Sequence, residues 1–418
     1  LTEAADNALS SALREEWPRL IGAALRIVGD LQTAEDVVQE SLLTALDRWP
    51  LQGVPDRPGA WLMTACRNRA RNVVRDAGRG RQRISSASCA AASQDPADAS
   101  PGLIADDRLR LITLCCHPHL PVDAQVALTL RMVGGLATEE IARGFHLPAA
   151  TMAQRIVRAK RTLKAHRADF TSHDLDISER LPAILDVIYL IFNEGYLAAA
   201  GKTLTRGDLA YEAYRLVCLL TEVTAAEPEA WALRALLSFQ LSRWATRTDA
   251  DGTPVTLDVQ DRARWNSELI CDGVRSLDRA RGGGRRGPLL LQADLAACHA
   301  TAPTFDATDW PAIVALYDEL TTLQDTPVVA LNRAVAVAMR DGPAAGIAEL
   351  DSLVSDPTLA ASHRVWAVRA DLHRRLADNA AAIADYDRAL QRVSNDAERR
   401  YLAAARCGLA EARRSEKG

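Results

Sequence analysis

Aromatic side chains are scarce in this chain, with Phe, Trp and Tyr together making up 5% of 418 residues. Pleated sheets lean on aromatic and β-branched residues, so a sandwich or barrel of this length is disfavoured at once. Long hydrophobic runs are missing as well. The longest, Ile184 to Phe192, is too short for a bilayer-spanning helix, so no membrane partner is expected. The eight cysteines follow no repeating spacing and no secretory signal precedes them, which reads as reduced thiols in a cytoplasmic protein. Their one cluster, Cys115-Cys116-His117-Pro118-His119, has adjacent cysteines and no second Cys/His pair nearby. It reads as buried structure, and no metal is expected. Asp249-Ala250-Asp251-Gly252 lacks the later ligands of a calcium loop and reads as a turn. No nucleophile–base pair stands out, so neither catalytic residues nor a cofactor is expected, and the chain is not read as an enzyme.

Ala, Leu and Arg dominate instead, with Gly and Pro mostly in apparent loops. That composition favours an all-α protein, and the length allows two or three domains. The net charge of −4 hides an asymmetry. Residues 1–170 carry 22 Lys/Arg against 19 Asp/Glu, a net +3, and the remainder carries 28 against 35, a net −7. Basic charge is focused in Arg67 to Arg83 and Arg143 to Arg167, as nucleic-acid binding requires.

The most informative stretch runs from Val122 to Arg167. Thr138 is a suitable N-cap, with Glu139 and Glu140 in the first turn, where the helix dipole favours acids. Gly144 sits where that helix should end, and Pro148 prevents continuation. In the next helix, Met152, Ile156, Ala159 and Leu163 share one stripe, while Thr151, Gln154, Arg155, Arg158 and Arg161 share the opposite one. Seven Lys/Arg and no acid lie between Ile141 and Ala168. A short helix packed on one that exposes Thr, Gln and Arg is a helix-turn-helix with a recognition helix for a major groove; an ordinary hairpin with a solvated basic face is the alternative.

Upstream, Asp30 and Thr33 open a helix, Thr33 as the cap, whose apolar positions are Val38, Leu42, Ala45 and Trp49. Asp36, Gln39, Glu40 and Asp47 fall on other faces. Pro50 to Gly59 reads as a loop bracketed by Trp49 and Trp61. The following helix aligns Arg67, Arg71 and Arg75, and seven arginines between 67 and 83 meet one acid, Asp76. Aromatics beside an arginine face suggest a surface that tracks and stacks a single strand. Residues 84–105 are small, polar and Pro-containing, the composition of a flexible linker.

In the second half, Leu181 to Phe192 is apolar almost all round and reads as a core or interface helix. Asn193 and Glu194 read as capping and turning the chain after it. Further on, Ala334 to Asp351 overlays Ala370 to Asp387 at an offset of 36, and Val314 to Leu320 matches Ile347 to Leu353 at 33. A period in the mid-thirties with small residues at crossings resembles tetratricopeptide repeats.

The order AEDVVQESLLTAL (Ala34–Leu46), PGAWLMTACRNRARNVVRDAGR (Pro58–Arg79), linker, EEIARGFHLPAATMAQRIVRAKRTL (Glu139–Leu163) resembles the extracytoplasmic-function sigma factors of bacterial RNA polymerase. With YLIFNEGY and the repeat tail, it is similar to the subgroup with a C-terminal helical-repeat extension. The resemblance covers about the first 170 residues. It implies that Asp36, Val37, Gln39 and Glu40 dock on core RNA polymerase. Trp49, Trp61, Arg67, Asn68 and Arg71 would hold the −10 single strand, and Thr151, Gln154, Arg155, Arg158 and Arg161 would read the −35 element of promoter DNA. Where many relatives have an acid after the arginines, this chain has Asn72. The expected domains are residues 1–83 (sigma domain two), the 84–105 linker, 106–170 (sigma domain four) and 171–418, a helical regulatory domain packing on the others. A one-component helix-turn-helix regulator with a ligand-sensing helical domain is the competing expectation.

Overall fold

The computed structural model describes residues 16–84, 107–145, 147–166, 177–197, 205, 207–284, 286–355 and 357–415. The linker expected at 84–105 lies, but for its first residue, outside them. The chain divides into two compact units, 1–191 and 192–418. All regular elements among the described residues are helical, apart from an isolated bridge between Thr248 and Pro254. None of these helices is long and apolar enough to cross a membrane.

The first unit opens with three helices: α1 (16–28), α2 (Leu31–Gln52) and α3 (Pro58–Ile84). Asp30, not Thr33, caps α2: its carboxylate accepts the Thr33 N–H at 3.1 Å and the Thr33 hydroxyl at 2.6 Å. The short aspartate side chain reaches the third amide of the helix, which a threonine already inside the first turn cannot do. The helix also runs through Pro50 rather than stopping there, and ends at Gly53, whose φ of 87° few other residues tolerate. Pro50 withholds only one amide, in the last turn, while Trp49 beside it anchors that turn in the core. Leu20, Ile21 and Leu25 of α1, Val38, Leu42 and Ala45 of α2, and Leu62, Cys66 and Ala70 of α3 are all buried, and the Cys66 thiol donates to the Leu20 carbonyl at 3.6 Å.

Four helices follow: α4 (Asp107–Cys115), α5 (Val122–Met132), α6 (Thr138–Gly144) and α7 (Ala149–Ala165). Thr138, expected as the cap, is instead the first helical residue, and the Glu140 carboxylate accepts the Ala137 N–H at 2.7 Å. That is the half of a capping box in which the acid at the third helical position accepts the amide of the residue before the helix. Pro148 starts α7 without a side-chain cap. The unit closes with most of α8 (Ile177–Tyr196), whose Leu181, Ile184, Leu185, Val187 and Ile188 are buried while Leu190 is exposed. Arg180 of that helix donates to the Thr113 carbonyl at 2.8 Å.

The second unit contains α9 (Gly207–Val223), α10 (Pro228–Ser242), α11 (Ser267–Arg281), α12 (Pro288–Thr301), α13 (Trp310–Leu323), α14 (Pro327–Asp341), α15 (Pro343–Leu353), α16 (Pro357–Ala361), α17 (His363–Arg375), α18 (Asn379–Leu390) and α19 (Asp396–Ser415). Proline starts α10, α12, α13, α14 and α15 at the first or second position, where its missing N–H costs nothing. The repeat seen in sequence is a repeat of helical hairpins. Shifting α14 and α15 by 36 moves Pro327 onto His363 and Pro343 onto Asn379, the first residues of α17 and α18. Each hairpin shares an apolar cluster with the next. One joins Leu291 through Val337 across α12–α14, and another joins Leu331, Ala334, Ala338, Leu350, Val365 and Leu372 across α14–α17. A third joins Ala370, Tyr386, Ala389, Val393 and Leu402. Stacking of this kind builds a core that no single hairpin could bury alone. At one crossing Gly346 lets α15 lie on α14: a Cβ there would overlap the methyl of Ala338 and come within 3.0 Å of a Leu372 methyl.

Candidate nucleic-acid interface

Helix α7 presents two chemically distinct faces. Met152, Ile156, Ala159 and Leu163 are buried, whereas Thr151, Gln154, Arg158 and Arg161 are exposed. Arg155 is half-buried because Asp123 of α5 holds its guanidinium at 3.1 Å. Arg158 donates to Gln154 on the same helix at 3.3 Å. With α6 packed on α7 and α5 behind both, four of the five expected reading residues are exposed and the fifth is tethered to Asp123.

On α2 and α3 the expected residues separate. Asp36, Gln39 and Glu40 are exposed, and Asp36 accepts a bond from Gln32 at 2.9 Å. Glu40 forms an ion pair with Arg69, an arginine the sequence reading had not singled out. Val37 is 1% exposed and belongs to the core, because it lies beside Val38 and Ala34 on the apolar stripe, so it has no surface with which to dock in this arrangement. Arg67, Asn68 and Arg71 are exposed along α3. The two tryptophans touch edge to face, with centroids 5.7 Å apart, but differ in access. Trp61 is half-buried, while Trp49 is 3% exposed and its indole N–H has no hydrogen-bond partner among the described residues. A ring so enclosed offers no face to a base; Trp49 instead backs Trp61. Leu51, beside it, is 86% exposed.

Three charged residues missed in the sequence meet where α2 faces α5 and α7. Glu35 accepts from Arg131 Nε at 2.7 Å and is ion-paired to Lys160. Lys160 also donates to Gln32 at 3.0 Å, and Lys164 lies 3.5 Å from Asp30. Arg131 stacks over Trp17, 5.3 Å from the ring centroid, and the Trp17 indole donates to the Arg131 carbonyl at 3.1 Å. Burial alone would raise the Glu35 carboxyl; Arg131 and Lys160 more than reverse that and hold it below the ordinary carboxylate range. A signal was present: Leu31, Glu35, Val38, Leu42, Ala45 and Trp49 are spaced four, three, four, three and four, so Glu35 occupies a core-facing position. A charge on an apolar stripe asks for a buried partner.

In the Cys115–His119 cluster, Cys115, Cys116 and His117 are buried. Burial pushes the Cys116 thiol up to about 12 and, with Arg180 and the neighbouring histidines, His117 down to about 4. Gln125 ties the turn by donating to the carbonyls of His117 and Leu120 at 3.3 and 2.9 Å. Among the described residues no group of three His, Cys, Asp or Glu is placed to hold a metal. At Asp249, the carboxylate accepts the amides of Asp251 and Thr253, closing a turn at Gly252.

Comparison with known proteins matches residues 13–80 to Sigma-70 region 2, 110–163 to Sigma-70 region 4, and 180–281 to a family of unknown function, DUF6596. The chain is 39% identical to an uncharacterized protein of Rhizobium meliloti (strain 1021), R00370, over 94% of its own length and 93% of that protein. It is 30% identical to the ECF RNA polymerase sigma factor SigL of Mycobacterium tuberculosis (strain ATCC 25618 / H37Rv), over 38% of this chain and 90% of SigL. The probable ECF RNA polymerase sigma factor SigI of the same strain is also 30% identical, over 38% of this chain and 55% of SigI. A crystal structure of yeast Tom70 superposes with a TM-score of 0.32 at 11% identity, covering 99% of this chain and 85% of that one, too loosely to inform the fold.

Proposed function

The chain belongs to the extracytoplasmic-function RNA polymerase sigma factors, and on that premise we propose how its surfaces divide the work of directing transcription from specific promoters. Core RNA polymerase docks on the exposed acidic and amide face of α2, through Asp36, Gln39 and Glu40. Residues 51–57, Trp61 and the Arg67, Asn68 and Arg71 row of α3 hold the displaced −10 strand. Stacking on the one accessible ring and tracking of phosphates by arginine supply affinity that tolerates sequence. Sequence is read in duplex form by α7, where Thr151, Gln154, Arg158 and Arg161 face a major groove, with Arg155 joining when Asp123 releases it.

The observation that carries this reading is the split of α7 into a buried face, apolar but for Lys160, and an exposed face with Thr151, Gln154, Arg158 and Arg161. A one-component regulator needs such a helix too, but has no use for the exposed surface of α2 and α3. The repeat unit is a fused regulatory array that modulates the sigma domains, and the site of action is the cytoplasm, where polymerase and DNA meet. Native electrophoresis with purified bacterial core polymerase tests the docking assignment. The wild-type chain comigrates with polymerase, and Asp36→Lys combined with Gln39→Lys abolishes comigration without loss of helicity. Undiminished comigration of that variant overturns the α2 assignment.

A further inference from the structure

We propose that Arg243, Arg247 and Arg262 of the second unit form a binding site for the phosphoryl group of a small molecule. This site is independent of the promoter-directed reading above.

Elsewhere in the unit, half-buried arginines face acids. Arg234 meets Asp272 at 2.7 Å, Arg281 and Arg286 share Asp294, and Arg333 lies between Asp318 and Glu349. The three arginines of the site depart from that pattern. Arg243 donates through Nη2 to the Tyr196 hydroxyl at 2.7 Å and to Gln240 at 2.8 Å. Arg247 donates through Nη1 to the Tyr196 carbonyl and lies over the Tyr196 ring, 3.4 Å from its centroid. Arg262 donates through Nη1 to the carbonyls of His299 and Ala302, at 2.7 and 2.9 Å, and lies over Trp265 at 4.5 Å. Every one of these acceptors is neutral. Among the described residues, none of the three guanidiniums is ion-paired to a carboxylate.

The fold holds them at one corner. Tyr196, at the end of α8, binds both Arg243 and Arg247, which follow α10 four residues apart. The Ser242 carbonyl accepts the Asn266 N–H at 2.8 Å, and the Trp265 indole donates to the Thr246 hydroxyl at 3.0 Å. The turn that bears Arg262 is thereby fastened to the turn that bears the other two. Burial, together with the neighbouring Arg243 charge, lowers the Arg247 and Arg262 guanidiniums from their ordinary range. Two atoms of the same corner, Arg262 Nη2 and His299 Nδ1, are enclosed without a hydrogen-bond partner among the described residues.

Like charges gathered in a partly desolvated corner repel, and only a counter-charge offsets that cost. Acids outnumber Lys and Arg in this half of the chain, yet none of them is paired here, so the counter-charge is assigned to a ligand. All three arginines are half-buried and so remain reachable from solvent. Each present set of bonds occupies one guanidinium nitrogen and leaves two. Planar forks of that kind match phosphate oxygens in pairs. A carboxylate brings a single charge, whereas a phosphate monoester brings nearly two and three acceptor oxygens, the closer match to three cations.

Isothermal titration of the full chain with inorganic phosphate, and separately with phenyl phosphate, tests the site at constant ionic strength. Saturable binding by about 10 mM is expected for at least one probe. Tighter binding of the monoester than of phosphate would show that its organic part is held as well, and equal binding that the phosphoryl group alone is held. Arg243→Gln should weaken binding about tenfold or more, as loss of a charge-assisted contact does. Arg333→Gln, which removes an arginine already matched by two acids, should leave binding unchanged. If Arg243→Gln loses helical circular dichroism, Arg243→Lys takes its place: it keeps the charge, loses the fork, and should still weaken binding severalfold. No saturable binding of either probe, equal weakening by Arg333→Gln, or undiminished binding by a folded Arg243 variant overturns the site.

Discussion

Consider replacing Arg158 and Arg155 of α7 with alanine, one at a time. Both lie on the face assigned to the −35 duplex, but the structure ranks them. Arg158 is exposed and makes only a 3.3 Å bond to Gln154, one turn away, so it is free to meet a base edge. A bidentate arginine–guanine contact carries about 1–3 kcal/mol of discrimination, or roughly 5- to 150-fold between the preferred base pair and its replacement. Arg155 starts from a pair with Asp123 at 3.1 Å, its side chain 27% exposed. Releasing a surface pair costs up to about 1 kcal/mol, which is subtracted from whatever the arginine gains on DNA. Arg158→Ala should therefore lose more discrimination than Arg155→Ala, and Asp123→Ala should strengthen binding by freeing Arg155 and removing a negative charge. The assay is competition binding of polymerase loaded with each variant, at fixed salt, against duplexes substituted at each −35 position. A uniform loss on every duplex for Arg158→Ala, with the salt dependence lowered by about one ion, would make it a phosphate contact and refute the ranking.

Three further outcomes follow from packing and titration. Gly346→Val should destabilise the repeat unit by about 1–3 kcal/mol in urea unfolding, since α15 has no room to move off Ala338 and Leu372; an unchanged midpoint would contradict the crossing described. Trp49→Phe should cost no more than about 2 kcal/mol, because losing a buried indole N–H without a partner among the described residues offsets part of the cavity left by the smaller ring; a loss well above that would contradict the unpartnered N–H. His299 is held neutral by burial and by Arg243 and Arg262, with its pKa down at about 4 against an ordinary 6.5. Between those values the unfolded chain takes a proton that the folded one refuses, so stability is lost as pH falls from 6.5 toward 4. That loss is on the order of 3 kcal/mol, and His299→Gln should remove it in urea titrations at pH 7 and pH 4.5.

Several parts of this fold are legible in sequence for one reason: their helices are amphipathic and cleanly bounded. Met152, Ile156, Ala159 and Leu163 announce the buried face of α7, and the offset of 36 between Pro343 and Asn379 announces repeated hairpins. Boundaries are harder. Thr33 and Asp30 are both good caps, and only the backbone decides which amide is reached; Pro50 looks like a stop until the burial of Trp49 is known. Resemblance misleads where a motif position coincides with the core, as at Val37 and Trp49, because a motif does not show which side chains the fold buries. Glu35 was hidden because its meaning depends on Arg131 and Lys160, about a hundred residues away in sequence, and no local pattern links them. Helices α9 to α12 show no period of their own, since the segment from Trp244 to Asn266 interrupts the spacing.

The most direct test of the central claim is transcription from a library of genomic fragments, using core RNA polymerase with and without the purified full-length chain. Discrete transcripts that depend on the chain and share upstream elements about 35 and 10 base pairs before their starts are predicted; the interface of α7 with the first of these should be lost with Arg158→Ala. If polymerase initiates identically with and without the chain on every fragment, the account of this protein as a promoter-directing subunit is contradicted.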